Sequence, residues 1–206
     1  MVASAMLGEV ILLTGEVEAP HLAALLCHFN PTLQVRHAPD VATLRALCAE
    51  PPPPTGRRVI AFCTAVIVPA DVIAALDAPA YNFHPAPPEY PGSHPASFAI
   101  YEGAKRYGVT VHEMTTKVDD GVIVAVDRFD VPPGLRFVDL ELHAYKALVA
   151  LFSALAERMA TDPAPLAPCG ETWSGTKTTN RDFARMGEVT EEMDEEEIKR
   201  RFRAFG

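Results

Sequence analysis

Three polar residues in this 206-residue chain have the type and spacing to act on one reacting atom: Asn82, His84 and Asp119. Asn82 and His84 stand two positions apart in Tyr81-Asn82-Phe83-His84-Pro85, and in extended chain such side chains project from one face. An amide and an imidazole can therefore converge on a single site. Pro85 keeps His84 out of helical geometry, so the pair belongs to extended chain at a strand end, where α/β proteins place their chemistry. Asp119 lies in Val118-Asp119-Asp120-Gly121, whose last two residues form a turn dipeptide, and it completes a candidate catalytic set of three. The bland alternative is a strand-end cap at Asn82 and His84 and an ordinary hairpin turn at the two aspartates.

The elements that must position these residues follow from apolar spacing. Val10 to Leu13 reads as a short buried strand ending at Gly15, and Pro20 to Phe29 as the helix after it. A second strand is expected at Leu33 to Arg36, a helix at Val41 to Glu50, a strand at Arg58 to Cys63, a short helix at Pro69 to Leu76 and a strand at Ala80 to Phe83. This alternation predicts an α/β, Rossmann-like fold with a mostly parallel twisted sheet flanked by helices. Past Pro85 the pattern predicts a proline-rich loop, a helix from Ala96 to Tyr107, and an antiparallel hairpin of Val109 to Met114 with Val122 to Phe129. A long helix, Val138 to Met159, comes next. After a Pro/Ala loop at 162–168 come a polar strand-like stretch around Thr172 to Thr179 and a last helix from Glu195 to Phe205. Asp194 is its predicted N-cap with Glu197 at the capping-box position, and Glu195/Lys199, Glu196/Arg200 and Glu197/Arg201 are spaced as i,i+4 pairs. The expected division is residues 1–160 as the catalytic unit and 161–206 as an extension packed on it.

Composition narrows the function classes. A 49% hydrophobic and 22% charged chain is that of an ordinary globular protein, long enough for one core. The formal net charge of -9 argues against a broad phosphate-binding surface and so against nucleic acid as a partner. Seven of the 27 acidic residues fall between Glu188 and Glu197, read as a solvated, salt-bridged helix entry. Cys27, Cys48, Cys63 and Cys169 have no metal-ligand spacing and read as reduced, buried, structural thiols; no metal is expected. With no signal-peptide or membrane-span pattern, the expectation is a cytoplasmic protein with no membrane partner, monomeric or homodimeric.

Asn82-Phe83-His84-Pro85 followed by Pro91-Gly92, and Gly108-Val109-Thr110-Val111-His112 followed by Asp119-Asp120-Gly121, resemble the two signatures of the folate-dependent formyltransferases. The resemblance runs from about Arg58 to Met159. It implies the formyltransferase fold and transfer of a formyl group from 10-formyltetrahydrofolate to a small primary amine. Asn82 and a protonated His84 would donate hydrogen bonds to the developing oxyanion, a contribution of about 2.7–4 kcal/mol per donor in well-studied cases. Asp119 would raise the His84 pKa and help move the amine proton. The pterin would lie between Thr64 to Pro69, with Ala65, Val66 and Ile67 as apolar walls, and the loop Val118, Asp119, Asp120, Gly121. His112 would stand behind Asp119.

Departures from the family pattern bear on the acceptor. In place of a glycine-rich phosphate loop stands Leu13-Thr14-Gly15-Glu16-Val17-Glu18, a poor cradle for a phosphoribosyl amine. The chain also lacks the length and basic charge of the tRNA-acting branch. Gly92-Ser93-His94-Pro95 is similar to that branch and to the sugar-modifying one, and Arg201-Phe202-Arg203-Ala204-Phe205 resembles the terminal helix of some sugar-nucleotide N-formyltransferases. The resemblance therefore points to an amino sugar on a nucleotide. Hydrolysis of 10-formyltetrahydrofolate and a folate-binding protein without turnover remain alternatives. Of the other ring residues, His94 and His143 read as packing or surface residues, and His21, His28 and His37 as structural. Trp173 reads either as a cover for the acceptor pocket or as a packing residue.

Overall fold

In a computed structural model, which describes residues 6–206, six strands form one sheet in the order β2-β1-β3-β4-β5-β6. The strands are β1 (Glu9–Leu13), β2 (Gln34–Ala38), β3 (Arg57–Phe62), β4 (Tyr81–His84), β5 (Arg106–Glu113) and β6 (Ile123–Asp130). The helices are α1 (Glu18–Phe29), α2 (Val41–Ala49), α3 (Ala70–Ala74), α4 (Pro95–Glu102), α5 (Phe137–Thr161), α6 (Asn180–Gly187) and α7 (Glu195–Phe205). The first four strands pair in parallel, β4 pairs antiparallel with β5, and β5 with β6. The chain fills one side of β1 with β2 and then crosses to the other with β3. Ligand crevices in open α/β sheets form at such a reversal.

Both sheet faces are buried over β1 and β3, and their alternating apolar residues divide between two cores. Val10, Leu12, Ile60 and Phe62 face α1 and α5, where Phe62, Phe83 and Phe152 pack with ring centroids 5.1–5.8 Å apart. Ile11, Leu13, Val59 and Ala61 face α2 and α3. On β4 the two faces part company. Tyr81 and Phe83 continue the first core, whereas Asn82 is in register with Ala61 and emerges where the α2/α3 layer has ended. Helix α3 is only five residues long, so no helix covers Asn82 and His84.

Several sequence expectations need correction. The helix predicted to Tyr107 stops at Glu102, because Gly103 adopts φ 71 as its C-cap and the chain enters β5 at Arg106. Residues 172–179 form no strand: Thr178 makes a single bridge to Gly92, and the eight-residue α6 follows, unforeseen because its apolar face is so short. At α7, Asp194 caps Glu197 N–H at 2.8 Å, but the Glu197 carboxylate turns to Tyr101 and Arg201 and leaves the capping box half made. Lys199 takes both Glu195 and Glu196, leaving Arg200 to Glu197. None of the four cysteines is fully buried. Cys63 and Cys169 are exposed, one just past the end of β3 and the other in the loop after α5.

One buried charge ties the cores together. Arg58 is fully buried and donates to the carbonyls of Pro79, Met159, Pro163 and Ala164 at 3.0–3.1 Å, with its guanidinium over the Tyr81 ring. This joins β3 to the C-terminal end of α5, where carbonyls lack helical partners. No helix of the described residues is long and apolar enough to cross a membrane.

Candidate active site

The antiparallel register sets Asn82 opposite His112 and His84 opposite Thr110, so the i,i+2 pair of β4 faces a matching pair on β5. Asn82 Nδ2 donates to His112 Nε2 at 3.1 Å across the strands. A register shift between β5 and β6 at Val111/His112 lies beside this pair, as bulges often do where a side chain must be aimed. The loop after β5 then returns Asp119 to the same spot. Its Oδ1 lies 3.3 Å from His112 Nε2, and its Oδ2 lies 3.7 Å from His84 Nδ1 and accepts from Gly92 N–H at 2.7 Å. Asn82, His84 and Asp119 are thus brought together as expected. His112 stands among them rather than behind Asp119, since it touches both Asn82 and Asp119.

The ring nitrogens have defined partners. His84 Nε2 is 3.0 Å from Tyr90 O and His112 Nδ1 is 2.8 Å from Glu113 O; facing carbonyls, both must carry hydrogen. A neutral His84 therefore keeps its free lone pair on Nδ1, beside Asp119 but beyond hydrogen-bond reach. An unprotonated His112 Nε2 accepts from Asn82, and a protonated one donates to Asp119.

Burial alone would raise the Asp119 carboxyl. In the acid range where this carboxyl titrates, the hydrogen bond from a protonated His112, the charge on a protonated His84 and the Gly92 N–H outweigh it and hold the group at about 2. Asp119 does push the His84 ring upward, as expected from the sequence, but it does not decide the outcome. Burial is the larger influence on His84 and lowers it below its ordinary value, with Asp119 and the Tyr90 carbonyl only partly opposing. The ring is neutral at neutral pH, a base in waiting rather than a charged donor.

These groups open onto a cleft of about 620 Å³, in the range of small-molecule sites. Ala65, Val66, Ile67 and Val118 line it, and Ile67 and Val118 are exposed at its mouth, an apolar frame suited to a flat ring system. Asp120 and Gly121 lie outside the lining: Asp120 sits between Lys117 and Lys177, and the Gly121 carbonyl accepts from Trp173 Nε1 at 2.9 Å. Sequence reasoning missed Cys63, Met114 and the segment Lys177 to Asn180, which reach the cleft only through tertiary folding. It also missed the part of His94, which lines the cleft while stacking on Phe183 at 3.8 Å. Trp173 is not a cleft residue. It packs against the rings of His84 and His112, at 5.8 and 5.0 Å between centroids.

Backbone strain concentrates here too. Among the described residues Cys63, His94 and Asp119 are the non-glycine residues with positive φ, at 47°, 55° and 43°, and all three line this cleft. A strained position of this kind persists only where its surroundings over-determine it. Asp119 is held on three sides, by Gly92, His112 and His84. Among the described residues no cluster of three His, Cys, Asp or Glu side chains is arranged to hold a metal ion.

Residues 57–149 match the formyl transferase family. No curated protein sequence matches the chain. A sugar N-formyltransferase from a Shewanella species shares the fold with a TM-score of 0.71 and 14% identity, over 96% of this chain and 87% of its own. The formyltransferase PseJ from Anoxybacillus kamchatkensis, solved with UDP-4,6-dideoxy-4-formamido-L-AltNAc and tetrahydrofolate, has a TM-score of 0.66 and 18% identity, over 86% and 89% of the two chains. An N-formyltransferase from Helicobacter canadensis, solved with folinic acid and dTDP-3-aminofucose, has a TM-score of 0.65 and 15% identity, over 97% and 81%. At these identities the likeness is one of fold.

Proposed function

We propose that this chain, which carries a formyl transferase family segment over residues 57–149, is an N-formyltransferase that moves a formyl group from 10-formyltetrahydrofolate to a small primary amine. The observation that carries this reading is the convergence of a donor amide, a neutral imidazole and an ionised carboxylate on one cleft, at Asn82, His84 and Asp119. The residue types suit the chemistry. Attack by an amine on a formyl carbon places negative charge on the formyl oxygen, and Asn82 has one amide hydrogen engaged by His112 and a second available to donate to that oxygen. His84 takes the amine proton at Nδ1 while the Tyr90 carbonyl holds Nε2–H, and the ionised Asp119 steadies the resulting imidazolium. The same proton then passes to the departing folate nitrogen, leaving a formamide and tetrahydrofolate. Ala65, Val66, Ile67 and Val118 would provide the apolar walls for the pterin.

For the acceptor we favour an amino sugar linked to a nucleotide. Against a phosphoribosyl amine held at the first strand-to-helix turn, the Glu18 carboxylate folds over Gly15, so that turn offers no cradle to its phosphate. The chain also matches most of the length of formyltransferases solved with nucleotide-linked amino sugars or their formamido products. The test is to supply 10-formyltetrahydrofolate with a panel of amines and to follow tetrahydrofolate production by wild type, His84→Ala and Asp119→Asn. Amine-dependent turnover that collapses in both variants is the expected result. Turnover undiminished in both would remove these residues from the chemistry.

A further inference from the structure

The segment following α5 runs across the open face of β4 and β5, pinned by backbone hydrogen bonds from Cys169 to Ile123, Ser174 to Pro88 and Thr178 to Pro91, all 3.0–3.1 Å. Trp173 sits midway along it. Its ring meets those of His84 and His112 edge-on, at interplanar angles of 69° and 85°, and its Nε1–H donates to Gly121 O, two residues beyond Asp119. We propose that Trp173 is a positioning residue of the reaction centre: its ring shuts water away from the His84–His112 pair, and its indole N–H anchors the turn that presents Asp119.

Both parts rest on contacts of this chain. Where β4 and β5 lose their helical cover, the strap supplies it, and Trp173 is its one large aromatic side chain; without that ring the histidines would meet solvent from behind the cleft. The charged and titratable groups facing His84 are Asp119, from the loop after β5, and His112, from β5; Tyr90 contributes a carbonyl. Trp173 adds no charge, so its influence on His84 is exclusion of water, the burial that keeps the ring neutral. The hydrogen bond to Gly121 serves a different end. Asp119 holds φ 43, and a fixed point two residues on keeps that strained conformation from relaxing.

The relevance to catalysis depends on the formyl-transfer reading, but the test of the contacts does not. The His84 ring proton can be titrated by NMR in wild type, Trp173→Phe and Trp173→Ala, with the signal assigned by its loss in His84→Gln. In W173A the His84 midpoint should rise toward that of an ordinary histidine; in W173F, which keeps a ring but no N–H, it should stay low. In W173F the Gly92 amide, whose acceptor is Asp119, should exchange with deuterium faster than in wild type. On activity, W173F should lose about tenfold in kcat at unchanged KM, the effect of one lost hydrogen bond. A His84 midpoint that does not move in W173A overturns the sealing role. An unchanged Gly92 exchange rate in W173F overturns the anchoring role, and does so even if W173A fails to fold. If both NMR changes occur without any formyl transfer, the contacts stand and the proposed function falls.

Discussion

Replacing Asp119 by Asn removes one charge from a buried site while leaving the backbone at ease, because Asn tolerates the left-handed conformation that this position adopts at φ 43. The carboxyl is held at about 2 against an ordinary 3.8. At 1.36 kcal/mol per unit, the native surroundings favour the ionised form by about 2 kcal/mol. The sign follows from proton binding. A carboxyl depressed in the folded state contributes its full stability above the unfolded value near 4 and loses it as pH falls towards 2. Asp119→Asn should therefore be less stable than wild type by up to about 2 kcal/mol above pH 4, or up to roughly 5 °C in Tm for a domain of this size, and the gap should close between about pH 4 and 2. Urea unfolding followed by far-ultraviolet circular dichroism at several pH values reads both quantities. Equal stabilities at pH 7, or a gap that persists undiminished to pH 2, would refute the electrostatic reasoning.

Further consequences concern the other groups of the site and the fold. Asn82→Ala should lower kcat by about a hundredfold or more, as loss of an oxyanion donor does, with KM for the folate little changed; steady-state kinetics measures both. His84 is depressed by burial, so the unfolded state takes up its proton first: wild-type stability should fall as pH drops below about 6.5, and His84→Gln should flatten that limb, which Tm against pH from 8 to 5 would show. Arg58→Met leaves four carbonyls without their donor and should destabilise by about 3 kcal/mol or more in urea unfolding. Gly92 has φ 98 and a side chain there would collide with the Thr178 carbonyl, so Gly92→Ala should free the strap, with faster proteolysis between Cys169 and Thr179 as the readout.

What could be read from the residues was what is local. Short apolar runs located every strand of the sheet, and the two-residue spacing put Asn82 and His84 on one face before any partner was known. Asp119 could be paired with them because two short motifs recur in order. Properties made by distant chain were not legible. The His84 ring is neutral because it is buried, in part against Trp173, 89 residues further along the chain, and no local pattern carries that information. Helix α6 is only eight residues long, and its apolar face is limited to Phe183, Ala184 and Met186, too short a stripe to mark a helix in the sequence. Arg58 looked like the polar start of a strand, because four of its acceptors come from segments that only the fold brings near.

The most direct test of formyl transfer is to follow the carbon itself. The protein is incubated with 10-formyltetrahydrofolate labelled with a heavy isotope at the formyl carbon and with nucleotide-linked amino sugars, and the products are read by mass spectrometry. The account predicts labelled formamide on the sugar nitrogen, formed by wild type and lost in His84→Ala. Label recovered only as free formate, or left on the folate with every amine tried, would contradict it.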